Sequence, residues 1–145
     1  MKNVLITLLV ATLAMPIPAG ASLILDAGIL VFKKAEIYYV RKNKSYDLKL
    51  TPESIKAGRR TYVLEIKSPV YVQEFLDSLP LGELQACDYY EELSNRLNVR
   101  LLIEVETYEE KMYRFFSDGR DFWNIDANEC IKVDASFIDK FDISR

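Results

Sequence analysis

The chain contains no histidine. That removes the commonest general base near neutral pH and the commonest zinc ligand. A serine or cysteine nucleophile would need a different activating base, and neither a nucleophile elbow nor a Ser-x-x-Lys pair occurs. Glycine is scarce, with five in 145 residues, and no Gly-rich loop that could cradle a phosphate is present. The two cysteines, Cys87 and Cys130, stand too far apart to form a metal knuckle. No RNA- or DNA-binding motif occurs and the net charge is −3, so nucleic acid is not an expected partner. Neither a cofactor nor a metal is expected.

The catalytic material left over is carboxylate. Asp118, Asp121 and Asp126 lie close together in the chain, and Glu104 and Glu106 share one strand face. Such pairs can support glycosidic or metal-assisted hydrolysis. Turn positions for the aspartates and a solvated strand face for the glutamates account for all of them more simply.

Long apolar runs are also few. One stands out, Val4 to Met15, broken only by Thr7 and Thr12. It follows the basic start Met1-Lys2-Asn3 and is ended by Pro16 and Pro18, then Ala19-Gly20-Ala21. This pattern predicts a secretory signal peptide, residues 1–21, cleaved after Ala21. The run is too short for the roughly 30 Å of hydrocarbon in a bilayer, so no integral membrane span is expected after cleavage. Residues 22–145 are then long enough for one core and too short for two ordinary domains. The expected location is secreted or periplasmic. In an oxidising compartment an even pair of cysteines predicts a disulfide between Cys87 and Cys130, worth roughly 4 kcal/mol by loop entropy.

What is present is strand and helix patterning. Val99, Leu101, Ile103, Val105 and Thr107 alternate with Arg100, Glu104 and Glu106, a period of two. Leu102 and Tyr108 break the polar side, which suggests partial cover on both faces. Glu109-Glu110 forms a tip, and Lys111 to Ser117 returns. Asp118-Gly119 predicts a two-residue hairpin loop, pairing Phe115 with Phe122 and Arg114 with Trp123. Residues 126–129 then turn the chain into Cys130 to Val133, which completes a four-strand meander.

Upstream, Leu23 to Phe32 reads as an extended segment on the sheet edge. Strands are expected over Ala35–Arg41, Tyr46–Leu50 and Thr61–Lys67. Thr51-Pro52-Glu53 opens a short helix stopped by Gly58. Ser68-Pro69 opens another, with Val72, Phe75, Leu76 and Leu79 as its apolar stripe. A further helix is expected over Glu83–Leu97, and a short final one around Phe137, Ile138 and Phe141. The fold class is therefore α+β. It is a single domain with a mainly antiparallel sheet, covered on one face by the two central helices.

Charge is unevenly spread. From Ser22 to Lys67 there are ten Lys/Arg against five Asp/Glu, and from Ser68 to Arg145 eight against seventeen. Nine tyrosines are many for this length, and tyrosine is favoured at protein interfaces. Tyr38, Tyr39, Tyr89, Tyr90 and Tyr108, with Glu104 and Glu106, make up the expected interaction surface. The expected function is non-catalytic protein binding, by an inhibitor or immunity-type protein in the periplasm whose partner is another protein. The alternatives are a carboxylate-dependent hydrolase and a structural, envelope-associated domain. Oligomeric state is not encoded in any of these patterns.

Overall fold

The computed structural model describes residues 32–41, 49–87 and 98–141. The expected signal peptide, most of the Leu23–Phe32 segment, the strand residues 46–48, and Tyr89 and Tyr90 lie outside the described residues. The described chain forms one antiparallel seven-stranded sheet and two α-helices, the α+β class expected. The strands are β1 (Phe32–Tyr39), β2 (Tyr62–Ile66), β3 (Gln85–Ala86), β4 (Leu101–Thr107), β5 (Met112–Ser117), β6 (Asp121–Asn124) and β7 (Glu129–Lys132). The helices are α1 (Pro52–Lys56) and α2 (Pro69–Asp77). The order across the sheet is β2-β1-β4-β5-β6-β7-β3, so the expected meander β4 to β7 occupies its centre and one side.

Alternation sorts side chains onto two cores. Ala35, Ile37 and Tyr39 of β1, Ile103 and Val105 of β4, and Phe115 and Phe122 pack on one face with Val72 and Leu76 of α2. Tyr38, Leu102, Phe116 and Trp123 pack on the other with Ile55 of α1. The helices thus belong to opposite cores, and the apolar Leu102 on the polar side of β4 marks the second. Phe116 and Trp123 stack there with ring centroids 4.6 Å apart. The adjacent tyrosines Tyr38 and Tyr39 point into different cores, as their places on a strand require.

Helix α1 begins as its sequence predicts. Thr51 Oγ1 accepts from the Ser54 backbone N–H at 3.2 Å, and Ser54 Oγ accepts from the Thr51 N–H at 2.7 Å, a reciprocal capping box. Past its end, the Gly58 N–H donates to the Ile55 carbonyl. A Cβ on Gly58 would stand 2.6 Å from Thr61 Oγ1, so a larger residue there would push the Thr61 hydroxyl from its place. Thr61 in turn donates to the Ile55 carbonyl at 2.6 Å, fixing the start of β2.

Two expectations need correction. The hairpin after β5 pairs Ser117 with Phe122, Phe116 with Trp123 and Phe115 with Asn124, two residues away from the expected register. Asp118 Oδ1 accepts from the backbone N–H groups of both Arg120 and Asp121, and Ser117 Oγ donates to the Asp121 carbonyl. These bonds build a four-residue loop in which only Gly119 has positive φ, 92°. A slip of two preserves which face each side chain takes. Phe115 and Phe122 still stack at 5.8 Å, but Arg114 lies beside Asp126 and not over Trp123.

The second correction concerns the helix expected from Glu83. Residues Leu81–Glu83 form a 3-10 turn, and Gln85 and Ala86 pair with Cys130 and Glu129 as β3. The free edge of β7 supplies hydrogen-bond partners that outweigh local helix propensity at this point. Residues 88–97 of that expectation lie outside the described residues. Cys87 and Cys130 are bonded, with Cα atoms 5.3 Å apart, so the disulfide joins the edge strand region to β7. At the C-terminal side, Ile138–Phe141 form a 3-10 turn that follows Asp134, whose Oδ1 accepts from the Ser136 N–H.

Candidate interaction surface

The charged side chains of β1 and β4 share the sheet face that carries Tyr38 and Leu102. Register places Glu36 between Glu65 of β2 and Glu104 of β4, with Arg114 beyond Glu104. Carboxylates side by side across strands repel one another, and the neighbouring cations answer that repulsion. Lys34 Nζ lies 2.9 Å from Glu36 and 3.4 Å from Glu106. A shift in register between Phe32 and Lys34 lets the preceding residue, Lys33, reach Glu106 as well, at 2.8 Å. Lys56 of α1 reaches Glu104 at 2.6 Å, and the Tyr38 hydroxyl donates to Glu36.

These contacts set the protonation of the band. The hydrogen bonds from Tyr38 and Lys34 hold Glu36 below the ordinary glutamate value, and those from Lys33 and Lys34 do the same for Glu106. Lys34 is raised by the same bonds to Glu36 and Glu106. Burial, then the bond to Glu36, pushes the Tyr38 phenol well above its usual range. Glu104 and Glu106 are therefore ion-paired members of a neutralised band, not two acids facing each other across a cleft.

The other expected surface residues are dispersed. Tyr38 and Tyr39 are buried, and Tyr39 stacks on Tyr62 at 5.1 Å, so neither ring is offered to a partner. Tyr108 is 60 % exposed, at the tip of the β4–β5 hairpin. Asp118 serves the β5–β6 loop, and Asp126 bonds the Arg114 backbone N–H at 3.0 Å. The expected tyrosine patch does not assemble among the described residues.

The exposed apolar residues lie elsewhere. Tyr62, Val63 and Leu64 of β2 are 43 %, 59 % and 38 % exposed, and Val70 and Tyr71 in the first turn of α2 are exposed as well. Alternation in the sequence marks β2 as a strand but gives no sign that it stands at the rim with side chains on both faces partly exposed. Beside it, an apolar cavity of about 220 Å³ is walled by Ile37, Tyr39, Leu64, Phe75, Leu79 and Phe141, with Lys140 at its margin. A separate open groove brings Asp77, Glu83 and Asp134 together with Lys132 and Lys140. Among the described residues no three His, Cys, Asp or Glu side chains form a metal-holding group. No helix among them is long and apolar enough to cross a membrane.

Compared with protein-family models, curated proteins and solved structures, the chain matches none.

Proposed function

We propose that the chain is an exported, non-catalytic protein-binding module, an inhibitor or immunity-type protein acting in the periplasm on another protein. The observation that carries this reading is the run Tyr62-Val63-Leu64, apolar and exposed on a strand held in place by β1. Folded domains seldom leave such a strand bare unless something binds it. The Cys87–Cys130 disulfide is compatible with an oxidising compartment, and the first 21 residues carry the pattern of a cleaved leader.

The test is capture by the tagged mature chain in a periplasmic extract, followed by reconstitution with the purified partner. A one-to-one complex that blocks the partner's activity supports the reading; a chain that elutes alone at every concentration sinks it. Mass spectrometry of the exported product finding residues 1–21 still attached removes the compartment. The alternative is a carboxylate-dependent hydrolase, for which the groove holding Asp77, Glu83 and Asp134 is the place to look. It requires turnover that disappears in Asp77→Asn or Glu83→Gln. A structural, envelope-associated domain would show neither a partner nor turnover.

A further inference from the structure

We propose that the outer edge of β2 accepts an extended segment of the partner protein as an added strand, and that this segment is apolar in its middle and acidic at the end that meets Arg59 and Arg60. The inference deepens the protein-binding reading and rests on it.

Strand β2 pairs with β1 over the five residues from Tyr62 to Ile66, and among the described residues nothing pairs with its other side. A strand in that position presents a row of backbone donors and acceptors, the template for strand addition. Its geometry is set in advance. Tyr62 stacks on Tyr39, and Thr61 is tied to Ile55 and Gly58 at the entry to the strand. A partner therefore meets an ordered edge and does not bear the cost of ordering it.

Charge names the partner's chemistry. Arg59 and Arg60, both exposed, precede the strand, and Lys67, with 76 % of its side chain exposed, follows it. The Arg41 guanidinium lies over the Tyr62 ring at 5.0 Å. The one acid on β2, Glu65, is held by Lys67 at 3.1 Å. An apolar centre that is basic at its Arg59–Arg60 end and neutralised by the Glu65–Lys67 pair at the other selects a strand that is acidic where it meets the arginines. A second copy of this chain fits less well. Antiparallel pairing about Leu64 would set Arg59 and Arg60 of one copy beside Lys67 of the other and bring no unpaired acid to meet them.

The probe is a synthetic peptide of alternating valine and threonine with two aspartates at the end that would lie against Arg59 and Arg60, titrated into the full mature chain and followed by NMR. The expected result is saturable binding, with shifted and newly exchange-protected amides at Val63 and Glu65, whose N–H groups point away from β1. Binding should fall at least about tenfold when lysines replace the aspartates, and by a similar factor in Leu64→Lys. Val63→Pro, which removes a backbone donor, is a second variant; circular dichroism checks that both are folded. Equal affinity for the two peptides overturns the proposal. So do Val63 and Glu65 amides already protected in the free monomer, which would mean that the chain covers its own edge. Concentration-dependent dimers lost in Leu64→Lys would assign the edge to a second copy and overturn it too. A natural partner held equally by wild type and Leu64→Lys would leave the protein-binding reading standing and remove the edge from it. Peptide binding with no natural partner found would do the reverse.

Discussion

The two rims of this sheet are finished in different ways. At one, β3 is only Gln85 and Ala86, and the residue after it is covalently bound to Cys130 of β7. At the other, β2 runs for five residues with Tyr62, Val63 and Leu64 uncovered. A short, cross-linked edge offers little to pair with, whereas a longer apolar edge offers a great deal. The same fold thus protects one rim and presents the other. That contrast is why binding is sought at β2 and not along the acidic second half of the chain.

The largest expected effect comes from breaking the side that carries the closed rim. Trp123, which is 1 % exposed and stacked on Phe116, should cost about 3–5 kcal/mol on change to Ala, read by urea denaturation. Next, removing the disulfide by the double change Cys87→Ala and Cys130→Ala should cost about 2–4 kcal/mol, because it spans 43 residues. A loss confined to a few tenths would show that β3 is held mainly by its backbone bonds. Leu64→Lys and Val63→Lys at the open rim should change stability by no more than about 0.5 kcal/mol. A larger loss there would mean that β2 is part of the core and not a presented surface.

A smaller effect separates the two sides by pH. Glu36 and Glu106 are depressed in the folded chain by their hydrogen bonds to Tyr38, Lys33 and Lys34. Their stabilisation is present above the ordinary glutamate range, about pH 4.3, and is lost as pH falls through their lower folded values. Glu129 of β7 has the opposite sign. It is buried, its Oε2 has no hydrogen-bond partner, and burial raises it. It carries no titration penalty below the ordinary range, where it is protonated folded and unfolded, and opposes folding as pH rises through its folded value. Glu129→Gln should therefore raise the melting temperature at pH 7 and leave it nearly unchanged near pH 4. A gain of the same size at both values would exclude titration as the cause.

Much of the architecture was legible in the chain. The period-two run at β4, the Thr51-Pro52 and Ser68-Pro69 helix starts, and the cysteine pair each depend on neighbours or on composition, and each appears where the residues place it. The misses depend on tertiary context. The Asp118 carboxylate and Ser117 hydroxyl organise a longer loop than Asp-Gly alone predicts. Gln85 and Ala86 become a strand because β7 has an edge to offer. Which tyrosines are exposed was the least legible. A tyrosine's exposure depends on where its strand falls in the sheet order, which places Tyr38 and Tyr39 inside and Tyr62 at the rim.

Pairing between β1 and β4 has a kinetic consequence. Tyr39 meets Leu101 and Phe32 meets Thr107, so the first strand waits for partners made more than sixty residues later. Contacts this distant carry a large loop-closure cost before any reward, which slows folding. Until they form, the β1–β2 strand pair stands alone with both of its long edges bare, and an isolated two-stranded pair is marginal in water. The growing chain is then most vulnerable to sticking to its neighbours, and a holdase that shields Phe32 to Ile66 should raise the yield of folded product.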